Sequence, residues 1–112
     1  MTSKIPYSDF EKLDLRVGLI KKAEPHPNAS KLLVLTVDLG EPADRTIVAG
    51  LKNHYTPSEL EGKKAIFVAN LEPAILRGIE SNGMILAAVS QDESQIIFLT
   101  TEKDIKQGSK IR

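Results

Sequence analysis

The chain has 112 residues, which is enough for one hydrophobic core and too few for two. Its 15 Lys and Arg side chains balance 15 Asp and Glu side chains, which argues against a protein that holds nucleic acid through overall positive charge. Because the chain contains no cysteine, disulfides, Cys-ligated zinc, iron–sulfur clusters and thiol catalysis are excluded.

The first half of the chain is predicted to form one helical turn and three strands. Residues 8–12 are typical of a helical turn with Ser8 or Asp9 as its cap. Residues 13–21 alternate between apolar and mostly polar side chains, the period of a half-buried strand, and Gly18 predicts a bend or bulge in it. The remaining elements of this half are a Pro-containing loop at 25–28, strands at 32–39 and 45–49, and a turn at 40–44.

The second half is predicted to contain one helix and further strands. Thr56 and Glu59 form a capping box with Pro57 at the first helical position, and Gly62 ends the helix. A polar loop that carries Arg77, Ser81 and Asn82 separates two strands. The predicted strands of this half are 65–69, 84–89, 96–99 and 110–112.

Three strands, a short helix and two strands is the order of the five-stranded oligonucleotide/oligosaccharide-binding (OB) barrel. We therefore predict an all-β fold of this type, with the short helix between strands 3 and 4 and with extensions at both termini. No linker or repeat interrupts the chain, so residues 1–112 are predicted to form a single domain. The pattern alone leaves other small β-barrels open.

Nothing in the sequence indicates an enzyme. His26 and His54 both fall in predicted loops without metal-ligand spacing, and we expect both to be exposed. The serines lack a nucleophile-elbow context, and the glycines do not form a phosphate-binding loop. We therefore expect no catalytic residue, no metal and no cofactor. A metal-dependent hydrolase that uses the two histidines remains an alternative.

The side chains that could bind nucleic acid are few. Lys31 lies at a loop-to-strand junction, on the rim where a barrel of this type binds its ligand. Arg77 lies in a loop held by apolar neighbours, and a fixed guanidinium binds phosphate with little loss of entropy. The hydroxyl of Ser81 can bond a phosphate or a 2′-OH, and Met84 can contact an unstacked base or a sugar. Met84 is equally typical of a core residue.

The chain resembles the tRNA-binding domain found in stand-alone structure-specific tRNA-binding proteins, at the C-terminus of bacterial methionyl-tRNA synthetases and in the cytokine-like cofactors of multisynthetase complexes. It is most similar to the stand-alone form, the methionyl-tRNA synthetase beta subunit. The segments that carry the resemblance run in order along the chain, at 14–18, 31–40, 45–50, 59–63 and 70–88.

The resemblance implies a non-catalytic OB barrel that grips the outer corner of folded tRNA by shape and assists a synthetase, with the methionyl-tRNA synthetase catalytic chain as a partner. It also implies a homodimer formed through the chain ends, here residues 1–12 and 96–112. The RNA-facing residues that it implies are Lys31, Asn70, Arg77, Ser81 and Met84.

Two positions depart from the family pattern. Ile75 stands where the family usually has Lys or Arg, and Glu72 stands where it often has Lys or Ala. One cation fewer and one anion more predict weaker tRNA binding with a shallower salt dependence. They also favour an alternative function, a protein-docking or chaperone-like module of the same fold with little RNA affinity.

The sequence suggests the cytoplasm as the location of the protein. No run of about 18 apolar residues could span a membrane. The N-terminus lacks the apolar segment of a secretory signal. We therefore expect no contact with a membrane.

Overall fold

A computed structural model describes residues 3–112. It contains two short helices and nine strands within that range. In chain order these are α1 (Tyr7–Glu11), β1 (Leu15–Pro25), β2 (Leu33–Asp38), β3 (Arg45–Ala49), α2 (Pro57–Leu60), β4 (Lys64–Val68), β5 (Ala74–Leu76), β6 (Ile79–Ser81), β7 (Met84–Ile85), β8 (Ala87–Val89) and β9 (Ile96–Phe98).

Five strands form an antiparallel sheet in the order β3-β2-β1-β4-β7. The sheet curls until its edges nearly meet, and a backbone hydrogen bond from Asn82 N to Thr46 O (2.8 Å) bridges them. The β5–β6 and β8–β9 hairpins are separate two-stranded sheets beside this barrel. The predicted all-β OB-type barrel is therefore confirmed.

A bulge in β1 sets which side chains face the core. The pairing with β2 shifts between Ile20 and Lys22, which leaves Lys21 as the extra residue. Because of this insertion, Ile20 and Ala23 both belong to the buried core although they are three residues apart. The prediction placed the irregularity at Gly18 and was wrong by three residues. Gly18 is needed for packing instead, since a Cβ there would lie 2.6 Å from the Phe67 ring.

The short helix α2 is confirmed, and its sequence explains its ends. The backbone N–H of Thr56 donates a hydrogen bond to Glu59 Oε1 (2.8 Å), and Pro57 occupies the first helical position. Leu60 is the buried residue of the helix and joins the barrel core. Gly62 follows at a φ of +86°, a conformation that favours glycine.

The structure corrects the prediction for the last third of the chain. The predicted polar loop around Arg77 is a β-hairpin, β5–β6. The strand predicted at 84–89 is divided into β7, which pairs with β4, and β8, which pairs with β9. The strand predicted at 110–112 is reduced to a single bridge between Arg16 and Lys110.

The C-terminal segment lies along the first half of β1. Val17 N donates to Ser109 O (2.9 Å), Gly108 N donates to Val17 O (2.7 Å), and Ile111 N donates to Leu15 O (2.8 Å). These bonds place the C-terminal segment on the side of the barrel where α1 leads into β1. Neither helix within residues 3–112 is long and apolar enough to cross a membrane.

Candidate nucleic-acid interface

His26 joins the loop after β1 to the β5–β6 hairpin. Asn28 N donates to its Nδ1 (2.9 Å), and its Nε2 lies 2.9 Å from Leu76 O. Since Nδ1 accepts, Nε2 carries the hydrogen that is donated to that carbonyl. The expected exposure of both histidines is wrong for His26, which is only 4% exposed. The flanking prolines, Pro25 and Pro27, restrict the backbone around it.

Arg77 lies in the turn of this hairpin. Arg77 and Gly78 have φ values of +54° and +92°, as in a two-residue type I′ turn, which favours Asn-Gly. Arg77 Nε donates to Asn28 O (3.2 Å), which belongs to the same loop as His26. The guanidinium therefore lies against the 26–32 loop, the residues between β1 and β2, and its remaining N–H groups have no acceptor among the described residues.

A backbone hydrogen bond joins Lys31 and Lys52. Lys52 N donates to Lys31 O (3.4 Å), which places Lys52, three residues past the end of β3, beside the 26–32 loop. Together with Arg77, these residues form a set of three cations that we call the cationic rim. Lys52 was not in the predicted site. No local pattern marks it, because its proximity to Lys31 depends on the pairing of β2 with β3.

None of the three rim cations forms an ion pair with a carboxylate within residues 3–112, whereas many other cations do. Arg16 pairs with Asp14 (2.9 Å), Lys21 with Asp44 (2.9 Å) and Lys64 with Asp104 (2.8 Å). The Arg16 hydrogen bond lowers the pKa of Asp14 below its ordinary value. Within residues 3–112, six carboxylates are paired with cations outside the rim. A zero net charge is therefore compatible with a locally positive surface at the rim.

Ser81 and Asn70 use their side chains inside the protein. Ser81 is buried, and its hydroxyl accepts a hydrogen bond from Val48 N (2.9 Å) and donates to Gly83 O (3.1 Å). Asn70 Oδ1 accepts from Asp14 N (2.8 Å), and its Nδ2 donates to Lys12 O (2.6 Å). Both residues hold segments together near the predicted site. Their contact with RNA stays a prediction.

Met84 is exposed and lines an apolar groove of about 420 Å³ between β3 and the β5–β6 hairpin. Leu51 and Leu76 also line this groove, and each is followed in the chain by a rim cation. Glu72 is its only ionisable lining residue. Met84 and Leu76, the residue before Arg77, line one groove, and Arg77 contacts the loop that contains Lys31. Contact of Lys31, Arg77 and Met84 with RNA stays a prediction.

Within residues 3–112, no three or more His, Asp or Glu side chains lie close enough together to hold a metal ion. Both ring nitrogens of His26 are engaged within the protein, Nε2 by Leu76 O of the hairpin and Nδ1 by Asn28 N of the 26–32 loop. His54 is only partly exposed. The cationic rim offers hydrogen-bond donors and positive charge.

Comparisons with known proteins identify the family of the chain. The family model described as "Putative tRNA binding domain" matches residues 15–110. The methionine–tRNA ligase of Pyrococcus horikoshii is 52% identical over 108 residues, which cover 96% of this chain. The chain spans only 14% of the length of that ligase.

Two solved structures share the fold of this chain over nearly its whole length. The MetRS related protein from Pyrococcus horikoshii superposes with a TM-score of 0.92 at 37% identity, covering 99% of this chain and 100% of that chain. The chaperone CsaA from Bacillus anthracis superposes with a TM-score of 0.88 at 27% identity, covering 98% of this chain and 100% of that chain. From the family match and the identity to the ligase, we conclude that the chain belongs to the tRNA-binding domain family and is homologous to part of methionyl-tRNA synthetase.

Proposed function

We propose that the chain binds folded tRNA through the cationic rim of Lys31, Lys52 and Arg77, and delivers it to an aminoacyl-tRNA synthetase. The methionyl enzyme is the partner that we favour, because the similar ligases are methionyl enzymes. In this function the chain performs no chemistry itself and leaves aminoacylation to the catalytic chain. We place this activity in the cytoplasm, where tRNA is charged.

The observation that carries the proposal is the contact between the hairpin and the 26–32 loop. Arg77 Nε bonds to Asn28 O, and His26 bonds to Leu76 O, so the turn that carries Arg77 is held against the loop that carries Lys31. The guanidinium of Arg77, fixed in this way, loses less conformational entropy on binding phosphate than a free surface lysine does. Fixed spacing also suits a ligand with a defined shape, such as folded tRNA, better than a flexible strand.

The five residues predicted from the sequence take different parts in this proposal. Lys31 and Arg77 contact phosphate, and Met84 contacts a base or a sugar. Ser81 and Asn70 contribute by holding neighbouring segments in place, because their polar atoms already form hydrogen bonds within the protein. Ser81 holds the end of β6 against β3, and Asn70 holds the end of β4 against the segment before β1.

We further propose a homodimer formed by the chain ends, residues 1–12 and 96–112. In support, Tyr7 and Leu13 are exposed apolar side chains, and a shallow depression beside them is lined by Lys110 and Ile111. The β8–β9 hairpin adds exposed Ile97. Light scattering after gel filtration tests this assembly. Tyr7→Asp should yield a folded monomer, because Tyr7 is exposed within the proposed interface. A wild-type monomer at micromolar concentration would contradict the proposal.

Fluorescence anisotropy with labelled tRNA tests the main proposal. The protein should bind tRNA more tightly than an RNA duplex of equal length at the same salt concentration. Lys31→Ala should weaken tRNA binding by about 1–3 kcal/mol, the range for charged hydrogen bonds, and should reduce the salt slope by about one. Lys63→Ala is the matched control, since Lys63 contacts β1 at Ile20 instead of the 26–32 loop.

Equal affinity for tRNA and duplex would overturn binding by shape. Equal losses in Lys31→Ala and Lys63→Ala would show that any surface cation suffices and that the rim is not the site. Unchanged affinity in both Lys31→Ala and Arg77→Ala would place the interface on another face.

Docking of a polypeptide is the second candidate function. It is favoured by the similarity to the chaperone CsaA from Bacillus anthracis and by the exposed Ile75 on the hairpin. Copurification from cell extract separates the two functions. Partner proteins that remain bound after nuclease treatment favour docking, whereas recovery that depends on RNA favours the tRNA function.

A further inference from the structure

The groove beside the cationic rim has the features of a nucleobase site. Its volume of about 420 Å³ lies within the range of small-molecule pockets, about 300–1,000 Å³. Val48, Leu51, Leu76 and Met84 are among its lining residues and offer apolar surface to the faces of a flat ring. Ser81 also lines it, but the hydroxyl is already bonded within the protein.

Positive charge lies at the edge of this groove. Leu51 precedes Lys52 in the chain, and Leu76 precedes Arg77. Lys31 adjoins Lys52 through a backbone hydrogen bond. An apolar slot edged by unpaired cations matches one nucleotide unit, in which the base enters the slot and the flanking phosphates stay at the edge. Proteins that recognise RNA commonly bind unstacked bases in this way.

Glu72 is a group in the groove lining that can distinguish one base from another. It is the only ionisable residue in the lining, and its carboxylate makes no hydrogen bond among the described residues. An ionised carboxylate can only accept hydrogen bonds. Guanine places two donors, N1–H and the exocyclic N2–H, side by side on its Watson–Crick edge. Adenine and cytosine place a donor beside an acceptor there, and uracil places one donor between two acceptors.

We propose that the groove between β3 and the β5–β6 hairpin binds an unstacked guanine of the bound RNA, with the Glu72 carboxylate accepting from N1–H and N2–H. This proposal rests on the proposed tRNA function and deepens it, because it names the base that the site selects. It also assigns a role in base recognition to Glu72, whose negative charge near the rim otherwise weakens the attraction to RNA. An apolar peptide would leave both Glu72 and the rim cations without partners, so the nucleotide is the better match.

Methyl NMR on the full chain tests the guanine site. The chain has two methionines, so the protein labelled with ¹³C-methyl methionine can be assigned with a single Met84→Leu variant. Titration with 5′-GMP should shift the Met84 methyl signal through the ring current of the base. The affinity for 5′-GMP should exceed that for 5′-AMP, 5′-CMP and 5′-UMP by about tenfold, as for a bidentate contact to a base edge.

The variant Glu72→Gln should lose this preference, because an amide replaces one acceptor with a donor. Glu80→Gln is the matched control, since Glu80 lies on the same hairpin and does not line the groove. It should keep the preference for guanine. Thermal unfolding of both variants should match that of the wild type, which separates a lost contact from a lost fold.

Three results would overturn the inference. These are equal affinity for all four nucleotides, no shift of Met84 with any nucleotide, or a shift produced only by an apolar peptide, which would make the groove a polypeptide site. Anisotropy with labelled tRNA distinguishes this failure from that of the proposed function. Shape-specific tRNA binding without a guanine preference overturns the guanine site alone, whereas tRNA bound no better than duplex overturns the function on which it rests.

Discussion

The hydroxyl of Ser81 takes the place of a backbone acceptor for Val48. Ser81 Oγ accepts the N–H of Val48 at 2.9 Å on the edge of β3, where the barrel closes against the segment after β6. The same oxygen donates to Gly83 O at 3.1 Å. A single side chain thus completes the hydrogen bonding between two edges of the barrel, and the position of the β5–β6 hairpin depends on it.

We expect Ser81→Ala to lower the free energy of unfolding by about 1–3 kcal/mol, because it leaves a buried N–H of β3 without an acceptor. Urea denaturation followed by circular dichroism measures this change. Ser30→Ala is the control, since Ser30 is exposed and makes no side-chain hydrogen bond within the described residues. Wild-type stability in Ser81→Ala would contradict the role of the hydroxyl in closing the barrel. Unchanged stability together with weaker tRNA binding would instead favour direct contact with RNA.

The variant Arg77→Asn distinguishes what the charge of Arg77 contributes to binding from what its backbone conformation contributes to the turn. Asn tolerates the positive φ of this position better than Arg does, so the free energy of unfolding should stay within about 0.5 kcal/mol of the wild type. The affinity for tRNA should fall by about 1–3 kcal/mol, because a fixed cation is lost. Anisotropy and urea denaturation on the same samples measure both. Lost stability with unchanged affinity would reverse this assignment and make Arg77 a structural residue.

The strand and helix patterns of residues 13–69 could be predicted from the sequence because each is local. The alternation before Lys21 and the capping box at Thr56 depend only on neighbouring residues. The β5–β6 hairpin was missed because its strands have three residues each and its turn is Arg77-Gly78 instead of Asn-Gly. Exposed apolar residues such as Ile75 give this hairpin no alternation to detect.

The site could be predicted only in part, for a different reason. Lys31 and Arg77 are marked by their positions at predicted loops, whereas the buried state of His26 depends on the carbonyl of Leu76, which lies 50 residues away. Lys52 joins the rim through the register of two strands. Such long-range contacts leave no pattern in a single sequence, since a loop histidine that packs against a distant hairpin looks the same as an exposed one.

The ion pair between Glu41 and Arg45 should make the free energy of unfolding depend on pH in the acidic range. Both oxygens of Glu41 accept from Arg45 at 2.8 Å, which lowers the pKa of Glu41 below its ordinary value of 4.5. Since the folded state binds this proton less readily than the unfolded state, the stabilisation is complete above about pH 5. It is lost as the pH falls through the lowered value.

We therefore expect Glu41→Gln to be about 1 kcal/mol less stable than the wild type at pH 7, with a gap that narrows toward pH 3. Urea denaturation at a series of pH values measures the gap. Glu102→Gln is the control, because Glu102 is exposed and has no ion-pair partner within residues 3–112. A gap that stays constant from pH 7 to pH 3 would show that the charge of Glu41 contributes nothing.

Ile75→Lys should tighten tRNA binding if the β5–β6 hairpin faces the RNA. Ile75 is 75% exposed, so the substitution removes little buried apolar surface. It also faces Glu80 directly across the hairpin. A lysine at this position would pair with that carboxylate and lose part of its attraction for phosphate. The double variant Ile75→Lys/Glu80→Gln should therefore bind more tightly than Ile75→Lys alone and should steepen the salt slope by about one.

Val89→Lys provides the comparison that decides whether this effect is local. Val89 is also exposed, but it lies on the β8–β9 hairpin, outside the two segments of the proposed dimer interface. The substitution adds the same charge, so equal tightening by Val89→Lys would show general attraction to a polyanion. Charges on the protein surface are largely screened beyond about 10 Å at ordinary salt. Only a lysine close to the RNA phosphates should therefore change the salt dependence of binding. Tightening in the Ile75 variants alone therefore locates the bound tRNA at the β5–β6 hairpin.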